Sequence, residues 1–234
     1  MLKRILIKAS GEMLGGTGGY GLDQDSLLTL AKYLKQAHDT GAQLGIVIGA
    51  GNIMRGTSAQ YLTRTKADSA GMLGTAINAI VLQDILQQEF QLDCIVLGAF
   101  SIDGMFQQSS LQLLDTYFTQ KKVVIFAGGT GAPYFSTDTA GVLKALEMNA
   151  DLMIKATKVD GVYDKDPHQF PDAKKYDFIS YQEILAKKLN VMDFTATSLA
   201  MENNLPIRVV NLSGDNLVSI INKKSIGTLV SSCE

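Results

Sequence analysis

"QLGIVIGAGNIMRG", Gln43 to Gly56, is a mostly apolar run that enters a turn holding Gly49 and Gly51, an asparagine and an arginine. A near-continuous apolar run of this length is what a strand covered on both faces requires. Glycines placed directly after it let backbone N–H groups approach an anion. The turn is neither G-x-x-x-x-G-K-[ST] nor a complete G-x-G-x-x-G, because Met54 stands where the third glycine belongs. A dinucleotide site would also need an acidic residue at the end of the next strand. The nearest candidate, Asp68, instead opens a helical stretch, so a dehydrogenase is disfavoured.

The same pattern recurs. "RILIKASGE" (4–12), "KKVVIFAGGTGAP" (121–133) and "ADLMIKATK" (150–158) are apolar strands that end in turn residues. "DCIVLGAF" (93–100), "PIRVVN" (206–211) and a final "GTLVS" (227–231) add further strands. Between them lie helical patterns. Leu27, Leu30, Ala31 and Leu34 share one face, with an Asp start signal and Gly41 as the stop. Others are expected over roughly 69–88, in "DTAGVLKALEMNA", over 181–189 and 193–203, and in "DNLVSIIN". The proline-bearing stretch 158–172 reads as an irregular surface loop. The alternation predicts an α/β protein, one domain over 1–234, with a mainly parallel sheet covered by helices on both faces. Ligands in such sheets bind beyond the carboxyl ends of the strands. Four glycine- or threonine-rich strand ends at that edge therefore predict one site fed by four loops.

Composition narrows the function. The chain has 234 residues, 46% of them apolar, which suffices for a sizeable core, and a net charge of −2 with no long block of one sign. That argues against nucleic acid as the main partner, since phosphate-backbone binding needs a clustered basic surface. Two cysteines, Cys94 and Cys233, make no disulfide framework, and two histidines, His38 and His168, make a zinc cluster unlikely. No stretch approaches a membrane span and the N-terminal apolar run is too short for a signal sequence, so the expectation is a cytoplasmic protein.

Lys8 ends the first strand and runs into Ser10 and Gly11, which suits a cation for a transferring phosphoryl group, or else a strand-end lysine in solvent. Arg55 adds a guanidinium fork to the glycine turn, a good match for phosphate. In "AGGTGAPYFSTDTA", Gly128, Gly129 and Gly131 permit close backbone approach, Thr130, Ser136 and Thr137 supply hydroxyls, and Tyr134 and Phe135 either flank a flat ring or fill core. Asp138 sits at a helix start, where Ser, Thr and Asp are favoured as caps. Thr157, Lys158, Asp160, Tyr163 and Asp166 surround a Gly161 turn that can hold a base and ribose or can be a charged surface loop. No Ser-His-Asp or Cys-His set is convincing, with His38 near the end of an amphipathic helix and His168 in the proline loop.

Together "KASGE", "VIGAGNIMRG", "GTGAPYFSTDTA", "IKATKVDGVYDKDP", "LNVMDFTATSLA" and "LPIRVVN" resemble the bacterial uridylate kinase branch of the amino-acid kinase family, in family order and over essentially the whole chain. The resemblance implies a three-layer α/β/α sandwich that transfers the γ-phosphoryl of ATP to UMP, with Mg²⁺ on the nucleotide phosphates. It implies Lys8, Ser10, Gly11, Gly51 and Arg55 at the ATP phosphates, and Thr157, Lys158, Tyr163 and Asp166 at the adenine nucleotide. It puts Ala50, Asp68 and the run Thr130, Gly131, Ala132, Pro133, Tyr134, Phe135, Ser136 and Thr137 at UMP. Lys8, Arg55 and Asp138 would be catalytic, with Asp193 in support and no protein-built metal site. A homohexamer activated by GTP and inhibited by UTP is implied too, with Gly16, Thr17, Gly18, Gly19, Tyr20 and Gly21 linked to GTP. The N-terminal half would carry mainly the UMP site and oligomer contacts, the C-terminal half mainly ATP. The alternatives are a relative of the same fold phosphorylating a carboxylate, carbamate or other phosphate, and a silent nucleotide sensor. One departure is Ala50, where the family has glycine; a positive φ there would strain alanine by about 1–2 kcal/mol.

Overall fold

The computed structural model describes residues 1–54, 61–189, 191–212 and 215–232. Arg55 and Cys233 lie outside the described residues. The expected apolar runs are strands: β1 (Arg4–Ala9), β2 (Gln43–Ile48), β3 (Cys94–Gly98), β5 (Val123–Ala127), β6 (Leu152–Thr157), β10 (Ile207–Asn211) and β11 (Thr228–Ser231). Four short strands complete the sheet or flank it: β4 (Gln107–Gln108), β7 (Val162–Tyr163), β8 (Lys175–Tyr176) and β9 (Phe178–Ser180). Nine described strands form one sheet in the order β4-β3-β5-β2-β1-β6-β10-β11-β9. Only the β10–β11 pairing in it is antiparallel. β7 and β8 form a separate antiparallel ribbon inside the stretch expected to be irregular loop.

The helices are α1 (Gln24–Asp39), α2 (Arg64–Phe90), α3 (Leu111–Thr119), α4 (Thr137–Glu147), α5 (Tyr181–Lys187), α6 (Phe194–Glu202) and α7 (Asn216–Ile221). Local chemistry starts many of them. Side-chain oxygens of Asp23, Ser110, Ser136, Ser180 and Asp193 accept backbone N–H groups of the first turns of α1, α3, α4, α5 and α6. Leu27, Leu30, Ala31 and Leu34 form the buried stripe of α1, as their spacing predicts. One core joins α1, α2 and α7 to the sheet face carrying Ile5, Ile7, Ile46 and Ile154. The other joins α4, α5 and α6 to the face carrying Leu6, Val47, Val124 and Met153, with Leu114 and Phe118 of α3. Helices thus cover both faces, giving the three layers expected.

Three expectations need correction. α2 begins at Arg64, not Ser69, so Asp68 lies in its second turn rather than opening it. The interval between the third and fourth expected strands, for which the pattern gives no element, holds α3, whose short stripe is only Leu114 and Phe118. By length and composition α2 could cross a membrane, contrary to the expectation that no stretch approaches that length. Instead it packs through Ala76, Ala79, Leu82 and Leu86 on the first core, while Leu73 and Ile77 stay 50% and 45% exposed.

Candidate active site

The four strands with turn-rich ends are the consecutive neighbours β5, β2, β1 and β6. Their parallel run delivers all four loops to one edge. In the β1–β6 register Lys8 is the partner of Lys155, and parallel partners project to the same face. Both ammoniums meet Asp138 in the first turn of α4: Lys8 Nζ lies 2.8 Å from Oδ1, and Lys155 Nζ donates to Oδ2 at 2.5 Å. The three side chains are exposed by only 10%, 11% and 14% for Lys8, Lys155 and Asp138. Helix α4 can lie this close because Gly141 sits over the stem of Lys8; a Cβ there would come within 3.3 Å of Lys8 Cγ and 2.9 Å of Met153 Cε.

Two buried cations against one carboxylate leave a net positive charge. Burial pushes the Asp138 carboxyl up, yet Lys8 and Lys155 outweigh it and hold the group below the usual carboxylate value. Burial pulls the Lys155 ammonium down, Asp138 opposes this and Lys8 adds repulsion, so the group sits below the usual lysine value. An anion arriving at this edge would offset both the repulsion and the uncompensated charge. Asp138 is therefore not the cap of α4; Ser136 is, accepting from the Asp138 and Thr139 N–H groups at 3.0 and 3.2 Å. Asp193, the cap of α6, also accepts from the hydroxyls of Ser136 and Thr139. It fixes the start of α4 and with it the aim of Asp138.

Two cavities have walls built by the loops that follow or precede the cluster residues. One, of about 500 Å³, is lined by Thr157, Tyr163 and Asp166 together with Gly161, Lys188 and Val209. The other, of about 140 Å³, is lined by Ala50, Asp68, Thr130, Ala132, Phe135, Ser136 and Thr137. Lys155 precedes the first cavity's Thr157 by two residues, and Asp138 directly follows the second cavity's Thr137. Gly131, Pro133 and Tyr134 belong to the β5–α4 loop but are not on the second cavity's wall. Lys158 is not on the first cavity's wall either; its exposed ammonium pairs with Glu12 at 2.8 Å, tying the β6 and β1 loops together.

Gly11 is buried against the glycine turn, where a Cβ would collide with the Gly49 carbonyl and with Asn52 Oδ1. Gly51 approaches Glu12 nearby, and Ser10 precedes a short 3-10 turn at Gly11–Leu14. Two buried amides lock these loops. Asn52 and Asn78 exchange side-chain hydrogen bonds at 3.0 and 2.8 Å, Asn78 donates to the Gly49 carbonyl, and Asn52 donates to the Gly21 carbonyl. The segment Gly16–Gly21 is a second 3-10 turn (Gly16, Thr17, Gly18), a left-handed Gly19, the exposed Tyr20, and Gly21 tied to Asn52. Ala50 is not among the residues with positive φ, so it carries no left-handed strain. Its methyl sits against Gly74 of α2, where a Cβ would approach to 2.9 Å.

Sequence reasoning passed over Lys155, although a lysine inside an apolar parallel strand is the same signal that singles out Lys8. Among the described residues no group of three His, Cys, Asp or Glu side chains could hold a metal ion. Cys94 is buried, and burial raises its thiol to about 12, which makes it a packing residue and not a nucleophile.

A parallel sheet covered on both faces, with buried lysines at the edge where its turn-rich loops gather, defines the class: an α/β protein whose candidate site lies beyond the strand ends. Residues 3–211 match the amino acid kinase family. Over 231 residues the chain is 43% identical to a uridylate kinase of Thermosipho melanesiensis, covering 98% of this chain and 99% of that protein. The crystal structure of UMP kinase from Bacillus anthracis superposes with a TM-score of 0.95 at 32% identity, covering 100% of this chain and 97% of that one. That of UMP kinase from Ureaplasma parvum gives 0.92 at 34% identity, covering 99% and 100%. The chain belongs to the amino acid kinase family.

Proposed function

We propose that this chain is a nucleoside monophosphate kinase that moves the γ-phosphoryl group of ATP onto UMP, giving UDP and ADP. One observation carries the reading: Lys8, Asp138 and Lys155 form a buried ion cluster, and residues adjoining it in the chain, Thr137 and Thr157, line one cavity each. The larger cavity takes ATP, with Thr157, Tyr163 and Asp166 at the nucleoside and Ser10, Gly11 and Gly51 at the phosphates. The smaller takes UMP, with Asp68 at the ribose and the β5–α4 loop around the base. The full-length likeness to a uridylate kinase and to two UMP kinase structures supports this choice of acceptor.

A phosphate monoester near neutral pH is already a nucleophile, so the transfer needs alignment and charge neutralisation more than a base. Lys8 and Lys155 stabilise the charge that develops on the transferring group, and Asp138 holds both ammoniums in place before substrate arrives. Arg55, outside the described residues, is assigned to the same task by its place in the glycine turn. Mg²⁺ enters as the counter-ion of the ATP phosphates; the one carboxylate at the cluster is already engaged by two lysines, so the described residues offer it no cage.

The assembly is a homohexamer in this proposal. Leu73 and Ile77, one turn apart on α2, form an exposed apolar face that a second copy can cover. Regulation by GTP and UTP belongs to the proposal as well, supported by the bonds joining Gly21 of the 16–21 segment to Asn52 of the glycine turn. So does a cytoplasmic setting, without membrane or nucleic-acid partners. The test is product formation from ATP with UMP, CMP, aspartate, N-acetylglutamate and carbamate in parallel. UMP is expected to be the best acceptor; highest activity on any other would overturn the assignment, and tight nucleotide binding without turnover would make the chain a sensor.

A further inference from the structure

Tyr134 holds φ at 72°, a left-handed conformation that an aromatic residue rarely adopts. Three glycines precede it with positive φ, Gly128, Gly129 and Gly131, but Tyr134 has no such freedom and must be held. Two contacts hold it. Its backbone N–H donates to Asp68 Oδ2 at 2.8 Å, and the guanidinium of Arg64 lies over its ring, 5.6 Å from the centroid. Arg64 Nε also donates to the same Oδ2 at 2.7 Å. One carboxylate oxygen thus gathers the start of α2 and the β5–α4 loop, while both bonds fall on Oδ2 and leave the lone pairs of Oδ1 for a ligand. Asp68 lines the smaller cavity and Tyr134 directly precedes Phe135 on its wall.

We infer that Arg64 is a positioning residue for the acceptor: it anchors Asp68 through Oδ2, keeps Oδ1 available to a ligand hydroxyl, and clamps the strained Tyr134 so that Phe135 stays on the cavity wall. Arg64 touches neither the lysine cluster nor the larger cavity. Its effect therefore belongs to the acceptor alone. A guanidinium performs both tasks because it can donate to a carboxylate while stacking flat on an aromatic ring, which an ammonium does less well.

The inference rests on the smaller cavity being the acceptor site, and the experiment separates the two. Calorimetric Kd values for UMP and for ATP, together with steady-state UDP formation, are measured for wild type, Arg64→Ala, Arg64→Lys, Asp68→Asn and the Arg64→Ala/Asp68→Asn double variant. Arg64→Ala is expected to weaken UMP binding about tenfold, the scale of one hydrogen bond to a charged group. Its kcat and ATP affinity should stay within about twofold, and Arg64→Lys should recover part of the loss. In the double variant, loss of Arg64 should add little to loss of the Asp68 charge, since the two act through one carboxylate. Unchanged UMP affinity in Arg64→Ala, or equal weakening of UMP and ATP, would overturn the inference while leaving the kinase reading intact. Wild type that binds UMP but makes no UDP would overturn the kinase reading, leaving Arg64 to be judged on Kd. Wild type that binds no UMP would overturn both.

Discussion

At the scale of single residues, the proposed function gives the chemistry to Lys8, Asp138 and Lys155, and Lys8 and Asp138 have separable signatures. Replacing Lys8 by methionine keeps the stem that packs under Gly141 and removes only the charge. We expect kcat to fall roughly 10²–10³-fold, the scale for losing one preorganised electrostatic group, with ATP binding changed far less. A near-normal kcat would show that Lys8 is a structural lysine. Asp138 has a different signature. Its removal leaves two buried ammoniums facing each other, so Asp138→Asn should lose about 3–5 kcal/mol of unfolding free energy, read from urea titrations near neutral pH. Because the folded group titrates below its ordinary value of 3.8, the advantage of wild type is complete above that pH and is lost as pH falls through the lower folded value. A difference that persists unchanged at pH 2 would contradict the ion-pair account.

At the scale of elements, the site is an assembly of loop ends, and the buried Asn52–Asn78 pair is what fixes their spacing. Asn78→Ala leaves Asn52 Oδ1 and the Gly49 carbonyl without their donor; a loss of about 1–3 kcal/mol in unfolding free energy is expected, with weakened nucleotide binding. No change in either would mean that the loops hold their positions without the pair. The four strands that end at the site were legible because strands buried on both faces read as apolar runs, and their turn residues interrupt those runs sharply. Their adjacency was not legible, since order in a sheet is a long-range property that no single segment encodes. The first turn of α2 escaped because Arg64, Thr65 and Lys66 are polar and exposed, and α3 because nine residues with two buried positions carry little periodicity. Lys8 and Asp138 could be singled out from sequence. Lys155 as their partner emerges only from the β1–β6 register, and the strain at Tyr134 follows from tertiary contacts to Arg64 and Asp68.

At the scale of the whole molecule, one sheet edge supports both cavities, and one long helix carries an apolar face that its own chain does not cover. Substituting Leu73→Glu with Ile77→Glu should lower the mass found by sedimentation, because two charges cannot be buried unpaired in a contact between copies. An unchanged mass would contradict the proposal that this face joins copies of the chain. The central claim is that the two cavities receive two nucleotides phosphate to phosphate across Lys8, Asp138 and Lys155. The most direct measurement is calorimetric binding of a single molecule in which adenosine and uridine are joined through a polyphosphate chain. The account predicts one molecule per chain, displacement of both ATP and UMP, and affinity roughly 10²-fold or more above either nucleotide alone, because the second half binds at high effective concentration. A linked molecule that binds no tighter than ATP and leaves UMP binding untouched would contradict it.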